Sequence, residues 1–209
     1  MSRANVSGGR GADADEVEGD LVGEATRRRL SKRQADMVRR LTTAALEELR
    51  ETGYSNLTVR GVAARAEVAP ATAYTYFASK NHLITELLWR RLRSSPPAAE
   101  AGQSTSERVV GVLRELALLM VDEPELAAAC TSAMLGDDSD VAHLRLRIGM
   151  EIRQRLEAAL GPGYDPAVLL ALEFAYAGAL VHAGMGAASY EAIADGLAAT
   201  AELITEGRS

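Results

Sequence analysis

Apolar positions along this chain recur at helical rather than strand spacing. Val38, Leu41, Ala45 and Leu49 share one face of a segment that Ser31-Lys32-Arg33-Gln34 can open as a capping box and Gly53 can close, which predicts a helix over residues 32–52. Thr58 can cap a short helix from Val59 to Ala66, Pro70 suits the first turn of another ending near Phe77, and Ser79 can cap a longer one reaching Arg93. Further on, Val109, Val112, Leu116 and Met120 share a face, as do Val141, Leu144, Ile148, Ile152 and Leu156. A helix is expected after Pro124, and the last two over 166–187 and 189–206. No stretch joins period-two alternation to β-branched enrichment, so the expected fold class is all-α.

Two stretches break the pattern. Residues 1–24 carry Gly, Ala, Asp and Glu without apolar period and are expected to form a disordered tail. Ser94-Ser95-Pro96-Pro97 through Ala101-Gly102-Gln103-Ser104 reads as a linker. These breaks divide the chain into the tail, a first domain over 25–93 and a second over 104–209. Leu169 to Ala188 is apolar but for Glu173, His182 and its glycines, and a membrane span there would set two ionisable groups near mid-bilayer. A buried or subunit-facing helix is expected instead, with no membrane partner.

Charge adds what the hydrophobic pattern cannot. The chain of 209 residues has net charge -6, yet residues 25–93 hold 14 Lys/Arg against 6 Asp/Glu while 94–209 hold 7 against 17. A basic module joined to an acidic one suits a protein whose first domain alone meets a polyanion. Catalytic readings find no support: there is no GxSxG, P-loop or dinucleotide fingerprint, and Cys130 with three scattered histidines offers no metal set. The chain is expected to be no enzyme, to need no cofactor or metal, and, without an apolar leader, to work in the cytoplasm.

The stretch Thr58 to Phe77 carries the chemistry. Two helices of about two turns, separated by three or four residues, have Val62, Ala63, Ala66, Val68 and Phe77 to pack between them, a helix-turn-helix arrangement. The second exposes the hydroxyls of Thr72, Tyr74, Thr75 and Tyr76, which can reach phosphates or base edges, and Arg60 and Lys80 can meet phosphate charge. With Gly53-Tyr54, Thr58-Val59-Arg60 and above all Thr72-Ala73-Tyr74-Thr75-Tyr76-Phe77-Ala78-Ser79-Lys80, the chain resembles the TetR family of bacterial transcriptional regulators over about residues 32–92.

That resemblance implies a homodimer with an N-terminal three-helix DNA-binding domain, a connecting fourth helix and a C-terminal domain for dimerisation and inducer binding. It implies that the protein represses transcription by binding a pseudo-palindromic operator in double-stranded DNA until a small molecule releases it. Carried over residue by residue, Thr58 and Lys80 are expected at phosphates, Arg60 in a groove, and Pro70, Ala71, Thr72, Tyr74, Thr75 and Tyr76 on the recognition helix. Arg27-Arg28-Arg29 forms a candidate arm. Glu67 stands where many members have Gly, Ala69 replaces a Ser cap, Ala71 a common Gly, Ala73 a branched aliphatic, and Gly61 an acid of the helix-2 capping box.

Candidate ligand residues in the second domain are Met120, Cys130, Met134, Glu173 and Tyr176. The few charges there point to a largely apolar ligand. Glu173, among Leu169, Leu170, Leu172 and Phe174, must turn to water, pair with an arginine across the dimer, or hold a polar group of the ligand. His182 is expected to be buried or subunit-facing. Arg90, Arg91 and Arg93, and Arg145, Arg147, Arg153 and Arg155 with Glu151 and Glu157, read as solvated faces. The rival from another class is a helical dimeric adaptor whose basic lobe binds a non-DNA anion.

Overall fold

The computed structural model describes residues 12–95 and 102–207, with side chains from Lys32 onward. Among the described residues there are nine helices and no strand: α1 (Ala12–Asn56), α2 (Val59–Arg65), α3 (Pro70–Tyr76), α4 (Lys80–Ser94), α5 (Thr105–Leu118), α6 (Pro124–Leu135), α7 (Ser139–Leu160), α8 (Pro166–Gly184) and α9 (Tyr190–Glu206). The chain forms two compact units, residues 1–41 and 42–209. In the first, Asp36 and Arg39 pair at 2.7 Å one turn apart on α1.

The expected tail lies outside the described residues over 1–11, and from Ala12 its backbone is continuous with α1. The start expected near residue 32 is therefore not a helix start, since Ala, Glu, Leu and Arg on both sides of Ser31 are helix formers. The capping side chain of Ser31 and the arm Arg27 to Arg29 fall outside the described side chains. The linker lies outside the described residues over 96–101.

In the second unit, the caps read from the sequence are made. Thr58 Oγ accepts from the Gly61 amide at 3.0 Å, and Ser79 Oγ from that of His82 at 3.0 Å. Ser104 and Glu107 close a capping box immediately after the linker. The exception is Ala69, which gives α3 no side-chain cap and leaves the start to Pro70. Gly53, at φ 72°, ends the regular part of α1, as its lack of a Cβ allows.

The body packs α5 along α9 and α7, α8 against α9 and α6, and α4 against both α6 and α7. Its centre is Leu113, Leu116, Leu156, Leu169 and Leu172, each fully buried and contributing roughly 1.5–3 kcal/mol. Where α8 ends, a Cβ on Gly184 would stand 2.4 Å from Thr131, so only glycine lets α8 come this close to α6.

By length and composition α8 could cross a membrane. Leu169, Leu172, Tyr176 and Ala183 form a stripe packed into the body. The opposite stripe, Leu170 and Phe174, is exposed in the single chain, and His182 is exposed rather than buried.

The turn between α2 and α3 resolves the Glu67 substitution. Val68 N donates to Ala63 O at 2.8 Å and Glu67 N to Ala64 O at 3.1 Å, the paired bonds of a Schellman ending, with Glu67 at φ 52°. A left-handed conformation costs a side-chain-bearing residue roughly 1 kcal/mol. Glu67→Gly is therefore expected to raise the melting temperature by about 2–4 °C; a fall measured by calorimetry would contradict the assignment.

Candidate nucleic-acid interface and internal cavity

The helix-turn-helix head is fastened by one arginine. Arg65, at the end of α2, donates through Nε to Glu48 at 2.8 Å and through Nη1 to Glu51 at 3.0 Å, and a second bond reaches Glu51 through Nη2. These bonds hold the Glu51 carboxyl below its usual range. Glu48 also explains Gly61: a Cβ there would stand 3.0 Å from Glu48 Oε1.

With α3 anchored by Ala73 and Phe77, both buried, its other side is presented outward. Pro70, Ala71, Tyr74 and Thr75 are exposed, as are Thr58 and Arg60 on α2 and its cap, while Thr72, Tyr76 and Lys80 are half-buried. Tyr74 keeps 51% of its surface in solvent, an unusual placement for a large ring. Thr75 gives its proton to Ala71 O at 3.0 Å, leaving its oxygen to accept.

Lys80 has a task that the sequence did not reveal. Its Nζ lies 2.9 Å from Tyr54 O and 3.4 Å from Ser55 O, and 4.4 Å from the centre of the Tyr54 ring. It neutralises the carbonyl end of α1 with two protons and has a third to give.

In the body, α4, α5, α6, α7 and α8 enclose a cavity of about 240 Å³. Leu88 and Leu92 of α4 line it, with Met120, Cys130, Met134 and Tyr176 among the predicted ligand residues. Glu173 is a correction: it does not line the cavity, because both its oxygens accept from Arg153 Nη1 at 3.2 Å within the same chain. Burial pushes the Cys130 thiol and the Tyr176 phenol well above their usual pKa ranges.

Two arginine groups expected to be solvated faces are corrected as well. Arg155 has only 9% of its side-chain surface exposed because α7 turns that side toward α4 and α5, where every N–H is spoken for: Nε by Glu151, Nη1 by Glu115 and Ser95 Oγ, Nη2 by Leu92 O and Ser95 O. Arg147 lies over the Trp89 ring at 4.4 Å. Arg91 of α4 donates to Leu119 O at 2.6 Å and pairs with Asp122, while Arg50 of α1 grips the buried Glu123 through Nε at 3.0 Å and through Nη2. The α5–α6 loop therefore lines the cavity with Leu119 and Met120 and holds α1 and α4 through its next residues. A third tie joins Ser79, which donates to Asp138 at 2.7 Å, to the start of α7.

Comparison with known proteins agrees with this arrangement. The family described as bacterial regulatory proteins, tetR family, matches residues 41–87. An uncharacterized HTH-type transcriptional regulator of Mycobacterium bovis is 50% identical over 179 residues, 85% of this chain and 84% of the relative. The crystal structure of a TetR transcriptional regulator from Rhodococcus sp. RHA1 superposes with TM-score 0.70 at 22% identity, covering 85% of this chain and 99% of that one. Thermus thermophilus FadR, a TetR-family transcriptional repressor crystallised with lauroyl-CoA, superposes with TM-score 0.61 at 19% identity, covering 82% and 95%.

The burial of Cys130 makes a chemical prediction. A free cysteine is half ionised near pH 8.5, but burial disfavours the Cys130 thiolate, so a water-soluble thiol reagent at mildly alkaline pH is expected to label the native protein far more slowly than the denatured one. Equal labelling rates would contradict the burial.

Proposed function

The chain belongs to the TetR family of bacterial transcriptional regulators, and on that premise we propose that two copies bind a pseudo-palindromic operator as a dimer, setting one α3 from each into the DNA major groove. The observation that carries this reading is the outward face of α3, where exposed Tyr74 stands between hydroxyl-bearing residues on a helix whose inner side is fixed in the head. Thr72, Thr75 and Tyr76, with Ala71 and Pro70 allowing close approach, complete the reading surface. Thr58 and Lys80 position phosphates, Lys80 with its remaining proton, and Arg60 reaches into the groove or its edge. The exposed stripe Leu170 and Phe174 on α8, with Leu203 on α9, supplies an apolar face for the second subunit.

The protein acts in the cytoplasm as a repressor that a small, largely apolar molecule releases. Lauroyl-CoA in the Thermus repressor supports an apolar occupant, and here the matching space is the α4–α8 cavity. An occupant pressing on Leu88, Leu92, Leu119 and Met120 displaces α4 and the α5–α6 loop, and Arg91 and Arg50 pass that movement to the head. Release requires only that the molecule bind the DNA-incompetent arrangement more tightly.

Selection of random duplex DNA on the purified protein at two salt concentrations tests the reading. An inverted repeat is expected to be enriched, and Tyr74→Ala to weaken binding to it by about tenfold or more while leaving the melting temperature unchanged. Retention that depends on salt alone, with no preferred sequence, would instead assign the basic lobe to another anionic partner.

A further inference from the structure

The cavity is uniform in one respect: all eighteen residues that line it are uncharged. Thr131 returns its proton to Ala127 O at 3.2 Å, and the Cys130 thiol faces Ile84 O at 3.9 Å. Tyr176 differs from both. It is only 7% exposed, lines the cavity, and among the described residues its hydroxyl has no hydrogen-bond partner. An unpaired hydroxyl on a side chain this buried, at a position where phenylalanine would fill the same space, is a hydrogen-bonding group that the fold itself does not use.

The nearest compensating cation does not change the polarity of the space. Arg155 is the charged group felt by Tyr176, but its five N–H groups are all engaged by Glu151, Glu115, Ser95 and Leu92. A carboxylate entering beside Tyr176 would lose its water and find in the lining the hydroxyls of Tyr176 and of the less buried Tyr190, and no free cation. An ammonium would find no carboxylate in the lining at all.

Resting on the reading of this cavity as the effector site, we propose that Tyr176 selects the effector: a neutral, apolar molecule with one carbonyl or hydroxyl oxygen, bonded to the Tyr176 hydroxyl. The phenol keeps its proton throughout the physiological range because burial raises its pKa, so a carbonyl oxygen meets a permanent donor. The same chemistry is offered by a free ketone or ester and by the thioester carbonyl of an acyl-CoA whose charged head stays outside.

Calorimetric titration of the full chain with 2-octanone, 1-octanol, octanoate, octylammonium and octanoyl-CoA tests this directly. The ketone and alcohol are expected to bind, with octanoate, held at a pH where it is ionised, and octylammonium weaker by about tenfold or more. Tyr176→Phe is expected to weaken 2-octanone by about tenfold, the value of one hydrogen bond, without lowering the melting temperature of the free protein, since the hydroxyl has no partner there to lose. Octanoyl-CoA binding as well as 2-octanone, and falling equally in Tyr176→Phe, assigns the thioester source; its failure beside a bound ketone assigns the free one.

Octanoate binding as tightly as 2-octanone, an unchanged affinity in Tyr176→Phe, or no binding of the ketone and alcohol would overturn the proposal. Operator binding by the ligand-free protein is read separately. Its loss would indict the DNA reading and not the choice of effector.

Discussion

One helix runs from the helix-turn-helix head to the cavity wall, and the rest of the structure answers to that constraint. The first turn of α4 holds Lys80 against the end of α1 and Ser79 against Asp138, while its last two turns place Leu88 and Leu92 in the cavity wall. A 15-residue helix is about 22 Å long and does not bend without a break in its hydrogen bonds, so neither end can shift without consequence for the other. Its anchors are correspondingly explicit. Arg91 holds the α5–α6 loop, and Arg155 holds the carbonyl end of α4 to α5 and α7.

Those anchors are polar where the rest of the body is apolar, and that difference decides how the body can move. Leucine contacts along α5, α7 and α8 are non-directional and tolerate small slides, whereas a guanidinium with five partners permits only a few arrangements. Breaking one bond to Arg155 costs more than repacking a methyl group, which favours switching between discrete states over gradual deformation. The cavity lies between these two kinds of contact, with Leu92 in its wall and the Leu92 carbonyl in the grip of Arg155.

Much of this was legible in the chain. Helix positions followed from the apolar period and from caps whose chemistry is local: Thr58, Ser79, Pro70 and Pro166. The left-handed turn at Glu67 was not legible: the chain showed only that Glu stands where many relatives have Gly, and the structure shows that the residue takes the left-handed conformation all the same. Of the five candidate ligand residues named from the sequence, Met120, Cys130, Met134 and Tyr176 line the cavity. What was hidden depends on partners far along the chain. Arg65 with Glu48, Arg50 with Glu123 and Arg155 with Glu115 are separated by 17, 73 and 40 residues, and no periodicity distinguishes them from surface charges. Glu173 misled because its paired arginine, Arg153, comes from another helix of the same chain. Lys80 was marked for phosphate, but its bond to Tyr54 O needed the fold to bring α1 and α4 together.

The central claim is that occupancy of the cavity and affinity for DNA are one equilibrium, transmitted by α4 and the α5–α6 loop. Fluorescence anisotropy of the selected operator, followed as 2-octanone is titrated into the wild-type chain and into Arg91→Ala, tests it most directly. The account predicts that the ketone weakens operator binding in the wild type by about fivefold or more, and that Arg91→Ala still binds both but loses most of that response. Operator affinity unchanged while calorimetry shows the cavity filled would contradict it.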